Sequence, residues 1–347
     1  MKKVLVLNIS TDSKDTSLGF AISWVNALSI NYDNVDVITL NKGDISTLNE
    51  NVNVYEIKNT RFKLFRVFKA ITILKDQLKS NSYDYCLSHM SPLLSILAFY
   101  LLKKQGTPNV LWYAHPGPNE LSKKITLYLS KYLVDKIITS TENSFPIKSK
   151  KINVIGQAIN FNYFVEKKPD FKNFNFLILS RISKSKKIEE SIDGFLKSIY
   201  SKNIIYIIGG PATRTDQKYL SQLKQKYKSF NNVVFKGVVP HNNLKEYLEN
   251  VNFHINQTSE GNYDKSVLET TVSGILNFYR NSDYDKLFPQ EYVNFFKFNN
   301  GPVGLAEVIS SIEKLNEKDF SKIIKYSQDE IKKESLETLD ERIKSIL

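Results

Sequence analysis

The chain has 347 residues, 41% of them hydrophobic and 24% charged, which suits two ordinary folded domains and excludes a disordered chain. Its single cysteine, Cys86, excludes an internal disulfide framework. A net charge of +12 favours an anionic partner: nucleic acid, a membrane surface or a phosphorylated small ligand. Nucleic acid is set aside, because no zinc-finger spacing and no aromatic-basic RNA-binding platform is present.

In chain order, Met1-Lys2-Lys3-Val4-Leu5-Val6-Leu7 starts like a secretion leader, but the apolar run breaks at Asn8 and Asp12 follows. It reads as a first buried strand, Lys3 to Ile9. Further strands are expected at Val35 to Leu40, Val52 to Ile57, Tyr83 to Leu87, Asn109 to Ala114, Lys136 to Thr139 and Ile152 to Ile155. Helices are expected near Gly19 to Leu28, Leu64 to Lys79, Leu93 to Lys103 and Lys123 to Leu133. This alternation is the rhythm of a parallel sheet covered on both faces. The longest uncharged run, Tyr85 to Leu102, contains His89, Ser91 and Pro92 and breaks into strand, turn and helix instead of spanning a membrane.

The stretch from Arg61 to Lys79 is basic and aromatic, with Phe62, Phe65 and Phe68 among Lys63, Arg66 and Lys69. It reads either as a domain helix with solvated lysines or as a surface for an anionic bilayer.

Asn160 to Asn173 has mixed polarity and reads as a linker, after which the rhythm restarts. Strands are expected at Phe174 to Leu179, Ile204 to Ile208, Asn232 to Phe235, Asn252 to Asn256, Ile275 to Phe278 and Val293 to Phe298. Helices are expected at Lys187 to Ile199, Gln217 to Tyr227, Leu244 to Glu249, Val267 to Ser273 and Val303 to Leu315, with a charged helical tail from Asp319. The expected fold class is α/β: two doubly wound, Rossmann-like parallel-sheet domains facing a central cleft. The domains are placed at residues 1–165 and 166–318, and residues 319–347 form a tail that packs back on the first domain.

Chemistry-bearing residues collect where strands end, the place at which an open α/β sheet binds polar ligands. Arg181 and Lys186 follow a strand, five positions apart, and two cations there can meet a diphosphate, with the adjacent Lys187 able to substitute for Lys186; the plain alternative is a solvated basic loop. Glu269 falls inside a short helix, where its carboxylate can accept two hydrogen bonds from a ribose diol or simply face water. Asp264 can cap that helix, orient Lys265 or touch a sugar, and these roles are not separable from spacing. Lys265 and the amides from Ser266 onward stand where a phosphate meets a helix start. Gly19, after the first strand, allows close backbone approach to a ligand or serves as a helix entry. His115 ends a strand, ahead of Pro116-Gly117-Pro118, and either reaches the reaction centre or is a turn histidine. His89 also ends a strand and is a weaker candidate for an acceptor side, as are Asn119 and Glu120, whereas His254 reads as buried strand and His241 as a helix start. No His-x-x-x-His, Cys-His or Asp-x-Asp spacing for a metal occurs.

Taken in order, Leu179-Ser180-Arg181 with Lys186, Ile208-Gly209-Gly210, Val234-Phe235-Lys236-Gly237 and the segment Glu260 to Glu269 resemble the retaining glycosyltransferases of family 4, which have the GT-B architecture. The stretch Val154 to Phe164 resembles that family's entry to its second domain. The likeness covers most of the chain and is densest between Ile152 and Gly274. One departure stands out. The family commonly carries two glutamates separated by seven residues, whereas eight lie between Glu260 and Glu269. Asp264-Lys265-Ser266-Val267-Leu268-Glu269 instead matches a variant in which Asp-Lys precedes the Val-Leu-Glu, so Glu260 is displaced from the expected carboxylate position.

The resemblance implies transfer of a sugar from a nucleotide diphosphate sugar to a hydroxyl of a glycan or lipid-linked acceptor, with retention of anomeric configuration and no metal. It assigns Arg181 and Lys186 to the donor diphosphate, Glu269 to the ribose, and Gly209, Asp264, Lys265 and Ser266 to the rest of the donor. Gly19 lines the same site from the first domain, and His115 stands at the transferring sugar. The implied location is cytoplasmic, peripheral on the inner face of the cytoplasmic membrane. The competing class is a non-catalytic sugar- or nucleotide-binding module derived from such an enzyme; an epimerase or hydrolase is the rival within enzymes.

Overall fold

The computed structural model describes residues 1–15, 18–58, 62–118, 120–164, 174–239, 241–299 and 301–347. The chain divides into two compact units, Met1–Ala158 with Glu334–Leu347, and Ile159–Lys333.

Unit 1 is built on seven parallel strands: β1 (Lys3–Thr11), β2 (Asn34–Lys42), β3 (Val52–Glu56), β4 (Tyr85–His89), β5 (Asn109–Trp112), β6 (Lys136–Thr139) and β7 (Ile152–Val154). They lie in the order β3-β2-β1-β4-β5-β6-β7. The central strands β4 and β5 are buried along their whole length because both faces are covered. Helix α1 (Phe20–Ser29) covers one face, whose core also takes Leu339 and Ile343 from the end of the chain. Helices α2 (Lys63–Ser80) and α3 (Pro92–Gln105) cover the other, and α4 (Leu121–Leu133) packs beside α3.

Unit 2 repeats the plan with β8 (Phe176–Leu179), β9 (Ile205–Ile208), β10 (Val233–Gly237), β11 (Phe253–Asn256) and β12 (Leu276–Tyr279), all parallel in the order β10-β9-β8-β11-β12. Its helices are α5 (Ile188–Lys197), α6 (Arg214–Lys226), α7 (His241–Leu248), α8 (Lys265–Val272), α9 (Gly301–Ser311) and α10 (Glu317–Ile331). The chain then returns to unit 1, where α11 (Leu339–Lys344) packs on α1. Asp340 is buried there and accepts a hydrogen bond from Tyr32 at 3.0 Å.

In each sheet the strand order reverses once, between β1 and β4 in unit 1 and between β8 and β11 in unit 2. Loops leaving the carboxyl ends of these neighbours diverge to opposite faces and leave a crevice between them.

The strand expected at Val293 to Phe298 does not form. Gln290–Phe295 is a 3-10 turn after Pro289, and only Lys297 bridges Tyr279. Val293 and Phe296 are both buried, and their three-residue spacing suits the tighter helix. A second 3-10 segment, Ser282–Leu287, has no counterpart in the sequence reading. Most of the expected linker, residues 165–173, lies outside the described residues; Phe161–Tyr163 before it is a 3-10 turn capped by Asn160.

Candidate functional site

In unit 2 the chain leaving β8 is pressed against the end of β9. Ile182 N–H donates to the Gly210 carbonyl at 2.9 Å, and Gly209 N–H to the Gly237 carbonyl at 2.8 Å. Gly209 has φ +142, and a Cβ there would stand 1.8 Å from the Ser180 carbonyl oxygen. Only glycine fits both the backbone conformation and the space.

Arg181 emerges from this junction with its side chain exposed. Ser183 to Lys186 then form a 3-10 turn into α5. The two neighbouring lysines part company here. Lys187 adopts a left-handed backbone (φ +50) and turns to Glu190 on α5, at 3.5 Å. Lys186 turns the other way, and its Nζ pairs with Oδ2 of Asp264. The position interchangeable by spacing is therefore distinguished by geometry.

Asp264 caps α8, its Oδ1 accepting the Ser266 N–H at 3.4 Å. Asn256, the last residue of β11, reaches Oδ2 from the other side at 3.4 Å. Asp264 N–H donates to Tyr284 Oη at 2.6 Å. Burial raises the Asp264 pKa, but the Lys186 ammonium and the Ser266 amide outweigh it and hold the carboxyl below its ordinary value.

Lys265 and Glu269 sit one turn apart on α8. Burial pushes the Lys265 ammonium down to about 7 and the Glu269 carboxyl up to about 7, against their mutual attraction. Ser266 Oγ is buried without a hydrogen-bond partner among the described residues.

Glu260 is not part of this cluster. It is exposed, and both its oxygens are taken by Ser282, from the N–H at 2.9 Å and the hydroxyl at 2.8 Å. The extra residue between Glu260 and Glu269 is absorbed in a loop braced by the 281–284 turn, where Asn281 Nδ2 donates to the carbonyls of Ser259 (3.2 Å) and Asn262 (3.3 Å). Tyr284, fully buried, stacks on Tyr263 with ring centres 5.0 Å apart.

Sequence reasoning missed Asn256, Asn281, Ser282 and Tyr284. Asn256 was visible as a strand end; the other three sit on a turn with no periodic signal. His254, the second residue of β11, is buried, with Nδ1 2.8 Å from Asn277 Oδ1, and burial pushes its pKa down to about 4.

In unit 1, Gly19 precedes α1 with an ordinary helical φ of −57, so its requirement is space: a Cβ would lie 2.6 Å from the Asp15 carbonyl oxygen. His115 is exposed beyond β5. Its N–H donates to the Ser144 carbonyl at 2.8 Å, and its Nδ1 accepts the Gly117 N–H at 3.1 Å, so the neutral ring carries its proton on Nε2. Partial burial lowers its pKa. His89 is buried in an aromatic nest, 4.8 Å from Trp24 and 5.6 Å from Phe20 between ring centres. That burial leaves it little surface for an acceptor. Glu120 is exposed and paired with Lys123 at 2.7 Å; Asn119 and Arg61 lie outside the described residues. Among the described residues no three His, Cys, Asp or Glu side chains converge on a common metal position.

Two doubly wound parallel units in series are the GT-B fold, and comparison with solved structures agrees. The Anabaena protein Alr3699/HepE, solved in complex with UDP and glucose, superposes with a TM-score of 0.77 at 15% identity over 99% of both chains. Sucrose-phosphate synthase from Thermosynechococcus elongatus gives 0.77 at 13% identity, over 100% of this chain and 98% of the other. UDP-GlcNAc 2-epimerase from Methanocaldococcus jannaschii gives 0.55 at 14% identity, over 99% and 100%. Residues 13–141 match the family model described as Glycosyl transferase 4-like. No curated protein sequence matches the chain.

Proposed function

We propose that the protein is a retaining glycosyltransferase that moves a sugar from a nucleotide diphosphate sugar to a hydroxyl of a glycan or lipid-linked acceptor. The observation that carries this reading is the cluster at the β8/β11 crossover: Arg181 exposed at one strand end, Lys186 held by Asp264, and Lys265 and Glu269 on the helix that Asp264 caps. A diphosphate needs several cations and free amides, and a ribose needs a fixed carboxylate. Three cations, Arg181, Lys186 and Lys265, and the Glu269 carboxylate come from neighbouring segments of one unit.

In this reading Arg181 and Lys186 stabilise the charge that develops on the departing diphosphate. Asp264 keeps Lys186 in place at a cost in net positive charge, and Lys265 adds a cation while it is protonated. Glu269 receives the ribose hydroxyls. The acceptor oxygen attacks the anomeric carbon from the face the diphosphate leaves, and a leaving-group oxygen takes its proton, so no enzyme nucleophile is required. His115, whose ring proton is on Nε2, supports the transferring sugar. The GT-B fold, the partial family match and the UDP and UDP-glucose complexes of HepE support a nucleotide-sugar donor. A cytoplasmic site of action and a metal-independent reaction belong to the same proposal.

The fold also carries an epimerase, so the reaction must be read from products. The test is a screen of nucleotide sugars, uridine donors first, with and without glycan and lipid-linked acceptors, followed by product mass. Acceptor gaining one sugar is the expected result. An epimerised donor, or tight nucleotide binding with no turnover, would overturn the transferase.

A further inference from the structure

Helix α4 carries apolar residues on two sides. Leu127 and Ser130 are buried. Yet Leu121, Ile125, Tyr128, Leu129 and Tyr132 recur at helical spacing and remain exposed, Leu121 at 73%. The start of α2 does the same: Leu64, Phe65 and Phe68 are exposed, while Ala70, Leu74 and Leu78 are buried. Both helices pack against α3, so the two exposed sets belong to one helical layer of unit 1. Apolar side chains grouped in this way mark a surface that meets another apolar phase.

The charge on this layer is one-sided. Within α4 the ionised side chains are Lys123, Lys124 and Lys131; within α2, Asp76 is the only acid against five basic residues. Between the two helices lies a cavity of about 620 Å³, walled by Val67, Leu94, Leu97 and Leu127 among others. That is a size that takes a small ligand. Arg66 also lines it, and its Nε is buried with no hydrogen-bond partner among the described residues. Glu120 lies at the same cavity and is neutralised by Lys123.

We propose that this layer of unit 1 docks on an anionic lipid bilayer, and that the cavity receives a hydrocarbon chain of a lipid-linked acceptor with Arg66 donating to its phosphate. The proposal rests on the acceptor class given above and goes beyond it by naming the site. Charge decides the occupant. A second copy meeting this face would set the α4 lysines against their own images, with no acid inside α4 to answer them. An anionic bilayer answers both the lysines and the apolar stripe. No helix among the described residues is long and apolar enough to cross a membrane, so this contact is with the surface.

The test is co-sedimentation of the full chain with phosphatidylcholine vesicles containing phosphatidylglycerol, against pure phosphatidylcholine, together with binding of dodecyl phosphate. The wild type is expected to bind the anionic vesicles preferentially. Ile125→Ser with Leu129→Ser, both already exposed and harmless to the core, should reduce that binding roughly tenfold or more. Val67→Trp, which fills the cavity, and Arg66→Gln should each weaken dodecyl phosphate binding, while circular dichroism shows an intact fold. Vesicle binding unchanged in the double serine variant, or dodecyl phosphate binding unchanged in the two cavity variants, would overturn the proposal. So would a wild-type dimer that the serine variant dissociates, which gives the face to a second copy. Neither readout involves turnover, so a failed donor screen and a failed lipid site are told apart.

Discussion

Lys186 and Asp264, 78 positions apart in the chain, form an ion pair that joins the turn after β8 to the cap of α8. The pair is about one-fifth exposed on each side, between a surface bridge and a buried one. It fixes the cation proposed for the donor phosphate relative to the helix that holds Glu269.

Replacing Asp264 by Asn keeps a capping side chain but removes the charge. The Asp264 pKa is lowered in the fold, so its ionised form stabilises the protein above about pH 4, and that contribution fades as pH falls through the folded value. Asp264→Asn should therefore cost about 1–3 kcal/mol at neutral pH and less in acid. Urea unfolding at pH 7 and below pH 4 measures both; an equal loss at the two pH values would contradict the pairing.

Burial pushes the Lys265 pKa down to about 7 and the Glu269 pKa up to about 7, so the donor binding proposed for this pair should depend on pH. In Lys265→Met the remaining group is Glu269, and donor affinity should rise with pH as its carboxylate forms. In Glu269→Gln the remaining group is Lys265, and affinity should fall with pH as its ammonium is lost. Calorimetric titration with a nucleotide sugar between about pH 6 and 8 reads the two slopes. Parallel slopes would remove one of the residues from the donor site.

Glu260 is engaged by Ser282, so Glu260→Gln should leave donor affinity within about twofold of wild type. Arg181→Ala and Glu269→Ala should each weaken it by roughly tenfold or more, the value of a charged hydrogen bond. Binding isotherms of the three variants test whether Glu260 serves as the first carboxylate: a large loss in Glu260→Gln would restore the common arrangement.

His115→Ala should lower kcat and leave nucleotide affinity unchanged, because His115 lies in unit 1 and the donor cluster in unit 2. Steady-state kinetics paired with nucleotide binding separates the two effects. An unchanged kcat would make it a turn histidine.

Gly209→Ala forces a Cβ onto the Ser180 carbonyl oxygen and a side chain into a glycine conformation. A loss of about 3 kcal/mol or more is expected, measured by denaturant unfolding. A stable variant would show that the β8 and β9 ends can part.

Much of the fold was legible because short apolar runs alternating with helical stretches mark a covered parallel sheet: all seven strands expected in unit 1 and five of six expected in unit 2 are present. The failure at Val293 to Phe298 has a local cause, since buried aromatic residues at short spacing look the same in a 3-10 turn and a strand. Within the candidate site, Arg181, Lys186, Asp264, Lys265 and Glu269 were all visible as charges at strand ends and a helix start. What spacing left open was whether Lys186 or Lys187 turns to the cluster and which carboxylate is spent elsewhere.

The sequence by itself determined the two-sheet plan and the residue types available for a phosphate and a ribose, because periodicity and charge are properties of local sequence. Tertiary structure alone decided the partners. Lys186 rather than Lys187 meets Asp264 because a left-handed backbone at Lys187 turns that side chain to Glu190. Glu260 is withdrawn because the 281–284 turn reaches it from 22 residues away. The apolar stripe of α4 is exposed because the opposite side of the helix already fills the core. Each outcome depends on contacts between distant segments, and spacing along a chain carries no record of those.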